Sequence, residues 1–414
     1  MTHSHSVILL DNEVKTKKLV SNLTNGTYPD FLWLKTKNIG EFSPYQIEQF
    51  IEEEERHDRK VLTKGSGQSL KSMSSGERKK ALLHYLMAQN PEVLIVVNSY
   101  DSLDIGSQEQ LRDNFQDLSQ KLSIIQITTR VSDAFPFAQH FFQFKDNLLL
   151  KFKKGKGFQS ASDQTKLRIG QKAPQPIKSI HLPDECLIEF KNVSVSFGAK
   201  PVLKEINWVI KRKEFWQLVG PNGSGKSTLL NLITGDSHKG YGQDLTLFGH
   251  KKGSGESVWD LKELIGYFSP AMVDRFRGYH TLEQMIISGL YDSIGLYTKP
   301  SETEIHKATE WLDLLGLKNK KHRYFHELSI GAKRLVMTAR ALIKHPPLLI
   351  LDEPTVGLDD SGATFFVELI NTYAQGSDSA IIYVSHRNEP NLRPEKRFEL
   401  QPSATGSLGF INSS

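Results

Sequence analysis

At 414 residues the chain is too long for one ordinary hydrophobic core and suits two domains. A hydrophobic fraction of 38%, with 24% charged residues, describes a soluble globular protein, and a net charge of +5 is too slight an excess to identify a polyanionic partner, so nucleic acid is not the expected one. The one cysteine, Cys186, excludes an intramolecular disulfide and a cysteine-rich metal site, which suits a reducing, cytoplasmic setting.

In chain order, residues 1–11 lack the basic and long apolar parts of a secretion signal, and no apolar run approaches membrane-spanning length. Work at the inner face of a membrane would therefore need another chain to hold the protein there. Phe31-Leu32-Trp33-Leu34 reads as a short strand, and 44–60 as a helix whose acidic run Glu52–Glu55 forms an exposed face. No glycine-rich phosphate loop precedes residue 150; Gly65 and Gly67 are not followed by Gly-Lys-Ser.

The next segment gains meaning from the far end of the chain. Met73-Ser74-Ser75-Gly76-Glu77, a helix over 79–89, the apolar run Val93–Val97 and Ser102-Leu103-Asp104 recur as Leu328-Ser329-Ile330-Gly331-Ala332, a helix over 333–344, Leu348–Asp352 and Gly357-Leu358-Asp359. The offset is a constant 255 over more than thirty residues, which marks an internal duplication. Ile124–Arg130 likewise parallels Ile381–Arg387. The chain is expected to be α/β throughout: a truncated first copy over 1–150 that has lost its beginning, a flexible linker over 151–184 rich in Lys, Gly, Ser, Gln and Pro, and a complete second copy over 185–414.

The second copy carries the chemistry. Gly220-Pro221-Asn222-Gly223-Ser224-Gly225-Lys226-Ser227-Thr228 follows the strand-like Phe215–Val219 and opens into a helical run, the context of a phosphate-binding loop. Its glycines let successive N–H groups face phosphate oxygens, Lys226 supplies a point charge between the outer phosphates, and Ser227 a hydroxyl ligand for Mg²⁺. Leu348–Leu351 is a buried strand that delivers Asp352 to the Mg²⁺ shell and Glu353 to the attacking water. His386 ends another apolar strand, within reach of the γ-phosphate or the water. The expected ligands are thus a nucleoside triphosphate and Mg²⁺.

In this order, 220–228, 328–332, 348–354, 357–359 and His386 resemble the phosphate loop, signature, magnesium strand, D-loop and switch histidine of the ABC-type ATPases. The resemblance implies a P-loop NTPase core with a helical subdomain and ATP as the nucleotide, and places Phe197 where the family stacks an aromatic ring on adenine. Within the family the chain is similar to the soluble double-cassette proteins of the ModF type, labelled as molybdate-transport-associated or photorepair proteins, on Ile233–Asp236, Asp244–Gly249, Gly253–Glu256 and Ser288–Tyr297.

Departures sharpen the expectation. Where the family has a glutamine after the strand Leu264–Phe268, this chain has Ser269-Pro270, which argues against conventional coupling to a channel. In the first copy, Val97, Asn98 and Thr129 replace Asp352, Glu353 and His386, so that copy cannot assemble a magnesium centre, yet its signature is nearly intact. Head-to-tail pairing, implied by the resemblance, would close the nucleotide on Lys226 with Ser74, Ser75 and Gly76. The opposite site lacks a phosphate loop, and its signature is altered at Ile330 and Ala332. One composite ATP site follows, within one chain or between two chains of a homodimer. Its use is either ATP hydrolysis or nucleotide-gated adaptor action with slow turnover; the ATPase subunit of a molybdate-like transporter, partnered by a permease from another chain, is a further alternative. A protein partner is expected on 272–297, through Phe276, Tyr279, Tyr291 and Tyr297.

Overall fold

Apolar runs such as Val93–Val97 and Leu348–Asp352 are buried along nearly their whole length, and a parallel sheet covered by helices is the arrangement that buries both faces of a strand. In the computed structural model such runs form the centres of two sheets. The structure describes residues 3–12, 14, 16–64, 68–152, 172–178, 180, 182, 184–273, 275–276, 278–387 and 389–413. The chain divides into two units, Met1–Asp163 with Gly357–Ser361, and Gln164–Val356 with Gly362–Ser414.

The first unit runs β1 (His5–Leu9), α1 (Thr16–Thr24), β2 (Ile39–Phe42), α2 (Pro44–His57), α3 (Ser75–Met87), β3 (Val93–Val97), α4 (Ile105–Leu118), β4 (Ser123–Thr128), β5 (His140–Lys145) and β6 (Leu148–Phe152). The strand order is β2-β3-β4-β1-β5-β6, parallel except for the β5–β6 hairpin. Period-two alternation sends Ile95 and Ile125 toward α1, through Leu19 and Leu23, and sends Leu94 and Ile124 toward α3 and α4, through Leu82 and Phe115.

Two local expectations fail here. Residues Pro29–Thr36 form a 3₁₀ helix rather than a strand: Phe31 and Leu34 are buried while Leu32 and Trp33 are exposed, a spacing of three that a strand cannot produce. Pro29, whose ring fixes φ near the helical value, starts it. In the acidic run, Glu54 is buried and accepts the Leu70 backbone N–H at 3.1 Å, while Glu52, Glu53 and Glu55 pair outward with Arg56, Arg59 and Lys71.

The second unit runs β7 (Cys186–Phe197), β8 (Lys200–Lys211), β9 (Phe215–Val219), α5 (Lys226–Ile233), β10 (Leu245–Leu247), β11 (His250–Lys251), α6 (Val258–Leu264), β12 (Ile265–Phe268), α7 (Pro270–Val273), α8 (Leu282–Ile287), α9 (Glu302–Leu314), α10 (Ile330–Leu342), β13 (Leu348–Asp352), α11 (Asp360–Gly376), β14 (Ala380–Val384), β15 (Lys396–Gln401) and β16 (Leu408–Ser413). An antiparallel sheet, β11-β10-β7-β8, shares one core with a main sheet of order β12-β13-β14-β9-β15-β16. Trp208 of the first sheet stacks on Phe398 of the second at 4.3 Å. The helices α8–α10 form the helical subdomain, where Gly289 lies so close to α10 that a Cβ would meet the Arg340 carbonyl oxygen at 2.0 Å. The α/β fold read from the sequence is the fold the chain adopts.

The two sheets correspond strand for strand. As β9 lies between β14 and β15, so β1 lies between β4 and β5, with α1 in the place of α5. The first copy therefore corresponds to the second from β9 onward. It keeps the strand and helix that flank a phosphate loop, and lacks the glycines between them and a counterpart of the antiparallel sheet among its described residues. Most of the stretch expected as a flexible linker, 153–171, lies outside the described residues. Its start, through Phe152, belongs to β6, and near its end Ala173 is buried.

Candidate nucleotide site

Parallel pairing brings the C-terminal ends of β9, β13 and β14 to one edge of the main sheet, where open α/β sheets bind their ligands. The loop after β9 needs its glycines for specific reasons. Gly220 has φ 152°, and a Cβ there would lie 2.7 Å from the Leu400 carbonyl oxygen; Gly225 has φ 94°, and a Cβ there would lie 2.8 Å from Leu203. Gly223 has φ 78° but open space around it. The loop is thus pressed against β8 and β15, with Pro221, Asn222 and Gly223 exposed and the Ser224 hydroxyl buried without a hydrogen-bond partner. Lys226 begins α5 and donates to the Gly220 and Pro221 carbonyls at 2.7 and 3.0 Å. Ser227 is exposed and Thr228 half-buried in the same first turn.

Asp352 ends β13 and accepts a hydrogen bond from the Tyr267 hydroxyl at 3.3 Å. Burial raises its pKa, against the Tyr267 bond and the Lys226 charge. Glu353 follows in a left-handed conformation, φ 50°, fixed by its N–H bond to the Val384 carbonyl at 2.9 Å. Burial and then the neighbouring Asp352 push its carboxyl up to about 7. His386, two residues past β14, holds Nε2 3.4 Å from Glu353 Oε1. Phe197, at the end of β7, has an exposed ring with Lys239 Nζ 5.7 Å from its centroid; β7 and β8 pair Phe197 with Lys200, just before the Val202-Leu203 stretch that touches Gly225.

Ser74, Ser75 and Gly76 belong to the first unit. Ser74 caps α3 in a reciprocal box with Glu77, Ser75 donates to the Ser102 carbonyl at 2.7 Å, and beside Gly76 a Cβ would meet nothing nearer than 3.7 Å. In the second unit Ser329 caps α10 by accepting from Ala332, and Ile330 is exposed. The first copy also retains the turn after β3, the counterpart of β13. Asn98 has φ 43° and donates to the Ile127 carbonyl at 3.0 Å, as Glu353 does to Val384, but it carries no carboxylate.

The donor set fits a nucleotide with its metal. Among the described residues no three His, Cys, Asp or Glu side chains gather to hold an ion. Ser227 and Asp352 are the sparse oxygen set that suits Mg²⁺ shared with phosphates. Of the aromatics expected to meet a partner, Phe276 is instead buried, its ring under the Arg340 guanidinium of α10 and edge-on to Phe325; Tyr279 and Tyr297 are 79% exposed.

A sheet edge bearing a glycine-lined loop and two carboxylates defines a nucleotide-binding domain. Residues 203–356 match the ABC transporter family model. The chain is 35% identical over 334 residues to ABC transporter ATP-binding protein ModF of Escherichia coli, covering 77% of this chain and 67% of that one. It is 29% identical over 327 residues to an uncharacterized ABC transporter ATP-binding protein of Schizosaccharomyces pombe, covering 77% and 66%. The chain thus spans about two thirds of the length of both relatives. Among solved structures it is similar to cbiO1 from Clostridium perfringens, part of the ABC transporter complex cbiONQ, with 25% identity, TM-score 0.48 and coverage of 56% and 89%. The chain belongs to the ABC transporter ATP-binding protein family. No helix of the described residues is long and apolar enough to cross a membrane.

Proposed function

We propose that the chain binds ATP with Mg²⁺ on the second unit and hydrolyses it. The observation that carries this reading is the meeting, on one sheet edge, of a phosphate loop with close-packed glycines, Asp352, Glu353 and His386. Phe197 offers its ring to the base; backbone N–H groups of 220–228 and Lys226 face the phosphates, Lys226 leaving the two loop carbonyls to do so. Ser227 and Asp352 hold Mg²⁺, which supplies charge neutralisation at the outer phosphates. Glu353, when ionised, accepts a hydrogen bond from the attacking water and orients it in line. His386 Nε2, beside Glu353, steadies that carboxylate or the γ-phosphate.

The composite arrangement extends this proposal: Ser74, Ser75 and Gly76 form the lid of the single site, supplied by the same chain or by a second copy. Its support is the division of intact parts, a phosphate loop only in the second unit and the better signature only in the first. Adaptor action with slow turnover is the second reading, favoured by Pro270 following Ser269 in place of the glutamine; there a protein partner or permease from another chain would receive the nucleotide signal, and the work would be cytoplasmic or at the membrane's inner face. Equilibrium binding of ATP tests the core. One nucleotide per chain, lost in Lys226→Ala, is expected; unchanged binding in that variant would overturn it. Glu353→Gln then separates the two uses, since retained binding with lost function marks a hydrolytic cycle and unaltered function marks an adaptor.

A further inference from the structure

The family's glutamine is missing, but the strand that should present it still reaches the metal carboxylate. We infer that Tyr267 is a positioning residue for Asp352, its phenol fixing the orientation of the carboxylate expected to bind Mg²⁺. This rests on the proposed role of Asp352. The Tyr267 hydroxyl donates to Asp352 Oδ2 at 3.3 Å. A metal-binding carboxylate oriented from behind in this way is held in one rotamer before the ion arrives.

The backbone keeps the phenol in place. Tyr267 pairs with Ile350 in the β12–β13 ladder, and the preceding Gly266 lets β12 sit against α10, where a Cβ would meet the Ala341 carbonyl oxygen at 2.5 Å. The comparison between copies points the same way. Gly40-Glu41-Phe42-Ser43-Pro44 in the first unit repeats Gly266-Tyr267-Phe268-Ser269-Pro270, differing only at the tyrosine. There the counterpart of Asp352 is Val97, and Glu41 turns to accept from the Ser43 hydroxyl at 2.6 Å. The phenol is present where there is a carboxylate to orient and absent where there is none.

Tyr267 and Ser269 also line a cavity of about 400 Å³ with Asp236, Arg275, Arg340 and Lys344, so the phenol stands between the metal carboxylate and a cleft against the helical subdomain. An occupant of that cleft that engaged the hydroxyl would alter Asp352, the task the absent glutamine would otherwise serve.

The test is Mn²⁺ binding, read by paramagnetic resonance, to the full chain saturated with a non-hydrolysable ATP analogue. Tyr267→Phe keeps the ring and removes only the hydroxyl; it should raise the half-saturating Mn²⁺ concentration by about tenfold or more, leaving metal-free nucleotide affinity unchanged and lowering Tm by no more than the loss of one hydrogen bond explains. Wild-type Mn²⁺ binding by Tyr267→Phe, or a loss accompanied by weakened metal-free nucleotide binding, would overturn the inference. Asp352→Asn separates the two layers: if it too binds Mn²⁺ normally, the role of Asp352 fails rather than that of Tyr267.

Discussion

The carboxyl of Glu353 makes stability depend on pH in a definite direction. Its ordinary value of 4.5 is raised to about 7, by burial first and Asp352 second. Between those values the folded chain keeps a proton that the unfolded chain releases. The resulting stability is therefore complete below about 4.5 and is lost as pH rises through 7. A shift of this size corresponds to roughly 3 kcal/mol at about 1.36 kcal/mol per unit. The side chain is 22% exposed, which reduces the working figure to about 2–3 kcal/mol. Glu353→Gln removes the titration while keeping size and shape. Urea unfolding followed by tryptophan fluorescence suits the comparison, since Trp208, Trp216, Trp259 and Trp311 all lie in the second unit. Relative to Glu353→Gln, the wild-type protein should lose about 2–3 kcal/mol between pH 4.5 and 8. Parallel profiles across that range would refute the burial argument. Hydrolysis should follow the same proton, with kcat/KM for ATP rising toward a plateau above pH 7, because only the ionised carboxylate accepts from water.

Two further substitutions test the packing of the site. Gly225→Ala combines a left-handed backbone with a clash against Leu203, and should cost about 2–4 kcal/mol and abolish ATP binding, whereas Gly223→Ala, with free space around it, should cost only about 1 kcal/mol; denaturation midpoints decide. Lys252 and Glu256 form a buried pair at 2.9 Å with 1% and 5% of their side chains exposed. Burial works against the Glu256 charge, but the adjacent Lys252 ammonium and the Gly253 N–H bond outweigh it and hold the carboxyl down at about 2. Lys252→Ala should cost about 3–5 kcal/mol, and more than Lys252→Met combined with Glu256→Gln. Equal losses in the single and double variants would show that the pair is not coupled.

The second unit's site was legible because phosphate chemistry restricts both residue type and local backbone: glycines at 220 and 225 and a strand ending in two acids leave few alternatives. The duplicated segments near Ser74 and Ser329 were legible because one offset relates them. The start of the first unit escaped because the glycines that would mark it are gone. Two weaker signals survive: Leu19, Val20 and Thr24 stand 210 residues before Leu229, Leu230 and Thr234, and Ile39-Gly40 stands 226 before Ile265-Gly266. With 255 and 257 further along the chain, four different offsets reflect three insertions or deletions between the copies, which a single-offset comparison misses. Residues 31–34 misled because four apolar residues in a row fit a strand, while Pro29 and a spacing of three decide for a tight helix. Nothing in the sequence marks Glu54 as the inward member of an acidic run, since its partner is the backbone of Leu70.

Steady-state ATP hydrolysis by the full chain, beside Lys226→Ala and Ser74→Arg, with mass measured with and without ATP, bears most directly on a single site shared by the two copies. Loss of turnover in both variants is expected, and the mass then tells whether one chain or two supply its halves. Normal turnover in Ser74→Arg with none in Lys226→Ala would contradict the shared site, and leave the second copy to pair with itself through Ser329 and Gly331 or to act alone.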